Sequence, residues 1–347
     1  MSTGGDRPSA RLELGPEQLA WQEDWAETPS PEDAGRGWAH HGLGLLADGR
    51  VVAFHPERGD VVIYSSSGKC LASFPTGLVE GHGITVVGGP GDERIWVADP
   101  GNKMRRDGAG RYGAVLGPES GQVVQFDLTG AVTLRLDRPV HPAYGTKPYA
   151  PTSVVVDEAR HGGDGDIWVS DGYGASLVHR FSPGGQHMAT IDGREGPGGH
   201  FNCPHGIFID RRRQEPELLV ADRGNAVVRV YSLAGEWKRD IGRTFLNSPS
   251  AFAAWGERTI VAELRARLAV LGPDESLVGY LGENGEVCDQ PGWPNSLDIE
   301  GRPVHPQSLS PGKFNSPHGL VTDGSGNVYV AEWLIGGRMI KLEPITN

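Results

Sequence analysis

Residues 205–236 read HGIFIDRRRQEPELLVADRGNAVVRVYSLAGE. A His-Gly pair opens an aliphatic run, a polar turn follows, then LLVAD, a loop, a second alternating run ending at Tyr231, and a glycine turn. Residues such as Val228 and Val230 are apolar at every second position, the periodicity of a strand with one face buried. The same unit can be laid down from His41, His82, Thr152, Ser250 and His318, making six copies with His205. Self-similarity at this period signals a repeat architecture, and four short strands per copy make one propeller blade. A lone blade cannot bury its two faces, whereas six around an axis stack them into a continuous core. The expected fold is therefore all-β, a six-bladed β-propeller.

The last copy ends after three strands. The stretch ARLELG, residues 10–15, is strand-like and is expected to supply the missing fourth, closing the ring and removing an unpaired edge. The organisation expected is an N-terminal segment over 1–37 and the propeller over 38–347. Two units are longer than the others, and the excess lies at 101–120 and 283–317. Both are polar and rich in Gly and Pro, which reads as surface loops that cover the channel mouth and select substrate.

Composition agrees with short strands and tight turns: 347 residues contain 52 Gly and 26 Pro. The formal charge of −12 argues against the basic surface that nucleic-acid binding needs. Three cysteines are too few for a disulfide framework, so a reducing compartment is the simpler expectation. The N-terminal stretch lacks the apolar core of a signal peptide, and no apolar run approaches a membrane span. A cytoplasmic protein with a small-molecule or peptide-like substrate, and neither nucleic acid nor membrane as partner, is the resulting expectation.

In a propeller the first strand of each blade lines the central channel, so equivalent positions form a ring. Here that ring reads His41, His82, Thr152, His205, Ser250 and His318. His82, His205 and His318 fall in blades two, four and six, about 120° apart, so three imidazoles converge near the axis. Three histidines with an open position are the donor set of a catalytic zinc site, and other divalent ions suit imidazole too. The bland reading is that each histidine satisfies backbone groups at a strand start. It suits one histidine better than three at equivalent positions. His41 is expected to be a substrate contact or supporting group rather than a ligand.

At the end of each second strand, Asp99, Asp171, Asp222, Glu263 and Glu332 recur and are expected to bond turn amides. The residues that vary between blades there are Arg58, Tyr173, Arg223 and Trp333. An arginine fork suits a carboxylate, and a tyrosine beside arginines and a metal is expected to have a lowered pKa that suits a general base. As solvated rim residues, the same side chains would need no further explanation.

The VAD signatures resemble NHL repeats over 38–345. The PHG-type histidines, the DGY at 171–173 and the VADRGN at 220–225 are together similar to the peptidyl-α-hydroxyglycine α-amidating lyases. That resemblance implies a zinc ion on His82, His205 and His318, Tyr173 as base, and Arg223 and Arg58 handling a carboxylate. Trp333, singled out by its place among the varying blade-end residues and not by the resemblance, is expected to contact substrate or to stand behind the site. The stretch FHPERGD around Arg58 carries two residues more than the family's FHRGD. Gly174 stands where the animal enzymes have a disulfide cysteine, and Gly319 where they have a calcium-binding aspartate, so structural Ca2+ is left open. Two other functions compete: a non-catalytic NHL propeller binding a protein or ligand, and a metal-dependent hydrolase of the six-bladed lactonase kind.

Overall fold

A computed structural model describes residues 10–23, 25–117 and 121–345. The start of the N-terminal segment and the end of the first insertion, residues 118–120, lie outside the described residues. Six antiparallel sheets follow one another along the chain as the repeats do. Blade one comprises Gly44–Leu45, Val51–Phe54, Asp60–Tyr64 and Cys70–Pro75. Blade two comprises Gly83–Val87, Arg94–Asp99, Gln122–Phe126 and Val132–Leu136. Blade three runs Ser153–Val156, Ile167–Asp171, Leu177–Phe181 and His187–Ile191. Blade four runs Pro204–Asp210, Glu217–Asp222, Val227–Ser232 and Trp237–Ile241. Blade five is Pro249–Trp255, Arg258–Glu263, Arg267–Leu271 and Leu277–Leu281.

Blade six takes Pro317–Thr322, Val328–Glu332 and Arg338–Pro344 from the C-terminal end of the chain. Its fourth strand is not ARLELG, as the sequence suggested, but Glu17–Gln22, which pairs Leu19 with Pro344 and Trp21 with Leu342. Arg11–Leu14 folds back on that strand as a fifth. The reason is burial: Leu19 and Trp21 are each 1% exposed, and the Trp21 ring lies 4.8 Å from that of Phe314. The wider apolar surface lies in the second stretch, so that stretch docks against the blade and the first becomes the rim.

Apolar residues are buried in six layers between neighbouring sheets rather than in one central mass. Blades one and two, for instance, share Val52, Ile63, Ile95, Val124 and Phe126. Blade six joins blade one through Val51, Val62, Tyr329 and Ala331. Each layer needs both of its blades, which is why the closing strand matters to the whole ring.

The recurrent acids do bond turn amides. Asp99 accepts from Val79 and Gly101, Asp171 from Ala150 and Ala175, Asp222 from Asn202, and Glu332 from Asn315 and Ser316. The insertions are more ordered than loops. Asn102–Arg106 pairs with Tyr112–Leu116, and Ser296–Leu297 pairs with Pro303–Val304 beyond a 3-10 turn at Gly285–Asp289. They touch where Arg302 donates to the Ala109 carbonyl. No helix among the described residues is long and apolar enough to cross a membrane.

Candidate metal centre

The His-Gly pairs explain how three imidazoles are aimed. His82 Nδ1 lies 2.6 Å from the Thr152 carbonyl, His205 Nδ1 2.8 Å from that of Ser250, and His318 Nδ1 3.3 Å from that of His41. Each acceptor lies in, or just ahead of, the first strand of the next blade. The glycine after each histidine makes that approach possible. A Cβ on Gly83 would stand 2.6 Å from the Thr152 oxygen, one on Gly319 2.8 Å from the His41 oxygen, and one on Gly206 against the Ser250 oxygen. Carbonyls only accept, so each Nδ1 carries the proton and each Nε2 keeps a lone pair turned toward the axis.

Those lone pairs meet one another. His318 Nε2 and His82 Nε2 are 3.2 Å apart. His40 joins them, so that ligand atoms of His40, His82, His205 and His318 all lie within 4.8 Å of one another. The Tyr173 hydroxyl sits 3.0 Å from His205 Nε2, 3.1 Å from His40 Nε2 and 3.2 Å from His82 Nε2. It has one hydrogen to offer them. Burial drives His82 down to about 3, and burial with mutual repulsion holds His40, His205 and His318 well below the usual range. The cluster is therefore neutral at physiological pH and carries more lone pairs than protons. Such a donor set fits a divalent cation, and an all-imidazole set suits zinc among others.

Tyr173 and Arg223 stand on one side of the cluster. Arg223 Nη2 lies 3.4 Å from the Tyr173 hydroxyl and 3.3 Å from Cys203 Sγ, and the guanidinium carbon is 5.4 Å from the centre of the tyrosine ring. Among the described residues its Nη1 is buried without a partner. A buried guanidinium with an unspent N–H edge is suited to an anion, a carboxylate above all. The protein groups alone do not lower the Tyr173 phenol: burial pushes it up to about 12, with Arg223 pulling the other way.

Trp333 reaches the same side, its ring 5.6 Å from that of His40 and 5.9 Å from those of Trp38 and Trp293. Trp38 in turn meets Tyr112 of the first insertion at 5.5 Å. Both insertions thus bring aromatic rings to the wall around the imidazoles. On the opposite side, a channel of about 410 Å³ lined by all six first strands ends at His82, His205 and His318.

Two residues singled out from the sequence lie elsewhere. Arg58 is half exposed and paired with Asp33, with no contact to the imidazoles. Its turn, FHPERGD, is the one that carries two residues more than FHRGD. The His41 side chain lines a small cavity with Ala53, Phe54 and Tyr64, and only its backbone oxygen serves the ring. His40 was missed because blade one begins pairing only at Gly44, so the stretch before it is irregular and strand periodicity assigns no inward side there. The adjacent pair His40-His41 was the available signal. Behind the ring, Lys103 of the first insertion donates 3.0 Å bonds to both oxygens of buried Glu80 and a 3.1 Å bond to the Trp38 carbonyl.

Among known proteins, the chain is 28% identical over 301 residues to NHL repeat-containing protein 3 of Mus musculus, covering 82% of this chain and 74% of that one. It is 24% identical over 304 residues to the Mus musculus peptidyl-glycine alpha-amidating monooxygenase, covering 85% of this chain. It spans only 26% of that larger protein. A streptogramin B lyase structure superposes with a TM-score of 0.57 at 14% identity, covering 96% of this chain and 100% of the other. No family model matches the chain. The similarity in sequence is to an NHL repeat-containing protein and to the amidating protein, and the fold is shared with the streptogramin B lyase structure.

Proposed function

We propose that this chain, similar as it is to NHL-repeat propellers and to an amidating enzyme, is itself a metal-dependent lyase of the amidating-lyase type. It would cleave the C–N bond at a hydroxylated carbon of a small carboxylate-bearing substrate. The observation that carries the reading is the meeting of three Nε2 lone pairs from alternate blades beside the hydroxyl of Tyr173. Arg58 has no part in it, and the carboxylate falls to Arg223 alone.

A divalent cation, with zinc the default, would be held by His82, His205 and His318, and when bound it supplies polarisation of the substrate hydroxyl. Arg223, with its unpartnered Nη1, would fix the carboxylate and thereby the reacting carbon. Tyr173 moves the proton: the substrate hydroxyl loses its hydrogen to the phenolate, the C–O bond becomes a carbonyl, and the C–N electron pair departs with nitrogen. The proton then passes from the phenol to that nitrogen, giving an amide and a 2-oxo acid with no oxidant or reductant. Burial works against ionisation of Tyr173, while Arg223 and a neighbouring cation favour it. Trp38, Tyr112, Trp293 and Trp333 would wall the substrate and exclude water. This reading puts substrate selection on the two insertions, and it keeps a reducing, cytoplasmic setting as part of the proposal, in line with three unpaired cysteines.

The test is metal per chain together with turnover of α-hydroxyhippurate. One ion per chain, lost in a His82→Ala/His205→Ala variant along with glyoxylate release, is expected. A chain without stoichiometric metal, or one that keeps it in the double variant, would return the function to a non-catalytic propeller. The lactonase alternative calls for acids and amides around calcium, whereas the axis here presents imidazoles.

A further inference from the structure

His40 reaches the axis from the segment between the short helix Pro31–Ala34 and blade one. The backbone just before it is held along the stretch 334–336: Ala39 N–H donates to the Leu334 carbonyl at 3.0 Å, Gly336 N–H donates to the Gly37 carbonyl at 2.7 Å, and Trp38 bridges Ile335. The imidazole is confined as firmly. It stacks along Tyr173 at 5.7 Å and 22°, and its centre is 4.5 Å from those of both His82 and His318. Nothing in the repeat demands a histidine here, since the ring position of blade one belongs to His41 and the other blades align on that register.

In a tetrahedral site with metal–nitrogen bonds of about 2.0–2.1 Å, neighbouring nitrogens are about 3.3–3.4 Å apart. The His318–His82 pair is already at 3.2 Å, and the ring nitrogen of His40 belongs to the same compact group. We propose, building on the metal-centre reading above, that His40 supplies a fourth nitrogen to the resting ion. The centre is then a four-imidazole site, closed by an N-terminal residue that the three-histidine ring does not include. For a substrate oxygen to bind, either His40 would have to give up its place or the ion would have to accept a fifth donor, which zinc sites allow.

The full-length chain loaded with zinc tests this by X-ray absorption, which counts imidazole ligands directly: four are expected. In the cobalt-loaded chain, His40→Ala should shift the visible ligand-field bands and weaken metal affinity by at least about tenfold, the loss seen when even a group behind a ligand is removed. His41→Ala should alter neither. A count of three imidazoles, or a His40→Ala spectrum and affinity equal to those of the wild type, overturns the fourth ligand. If His82→Ala still abolishes binding in that case, the three-histidine centre stands. Should the wild type hold no stoichiometric ion, both readings fall. The absorption count on the unmodified chain decides the matter even if His40→Ala does not fold.

Discussion

At the residue scale the site depends on pairs of neighbours acting as one device. His205 is aimed by the Ser250 carbonyl, and Gly206 is what allows that carbonyl to come close. Gly206→Ala is therefore expected to cost about 1–3 kcal/mol, the usual range for overpacking, and to loosen the ion by unseating the imidazole. Urea midpoints and a metal titration on the same variant check both halves. Tyr173→Phe removes one hydroxyl and leaves the ring in place. It should keep the metal and lower turnover of α-hydroxyhippurate by about 10²–10⁴-fold, the range of general acid–base catalysis. Turnover equal to the wild type would take Tyr173 out of the mechanism. DGY and VADRGN were legible because they stand at blade ends where repeats otherwise agree. The raised phenol was not, because its burial arises only when the imidazoles of His40, His82 and His205 and the Arg223 guanidinium come together round it.

At the scale of elements, the ring is closed by pairing between residues more than 300 positions apart, Gln22 with Lys341 and Trp21 with Leu342. Trp21→Ala should cost about 3–5 kcal/mol, as large buried aromatics do, and lower the urea midpoint of the whole propeller rather than of one segment. That a strand from the N-terminus closes the ring follows from counting strands in the last repeat. Which of two strand-like stretches does so depended on how much apolar surface each buries against blade six. The first insertion is pinned by Lys103 on Glu80, a pair whose side chains are 1% and 3% exposed. Burial pushes Glu80 up to about 7 in spite of the lysine. Lys103→Met strands that carboxyl and is expected to cost about 3–5 kcal/mol, whereas Lys103→Met/Glu80→Leu should recover most of the loss. Denaturation of the set at pH 8 would show it.

For the whole molecule, buried histidines make stability depend on pH. Burial holds His179 at about 3 and His41 at about 4. Above the ordinary value of about 6.5 both the folded and unfolded states leave them neutral. Below it the unfolded chain takes up protons that the folded one refuses, so stability falls as pH drops from 6.5 toward 3–4, by up to about 1.4 kcal/mol per unit for each group. Glu80 works in the opposite direction, so the diagnostic is a difference between variants. His179→Leu loses its bonds to Tyr144 and Thr190 and is less stable at pH 7, yet its thermal midpoint should fall less between pH 6.5 and 5 than that of the wild type. The repeat, its period-two strands and the alternate-blade placement of His82, His205 and His318 were determined by the sequence alone, because register and copy number are properties of a linear pattern. The place of His40 and the departure of Arg58 to the rim were decided only by the tertiary structure. Each lies in a segment without regular pairing, and there the direction of a side chain is set by what packs around it rather than by its place in the repeat.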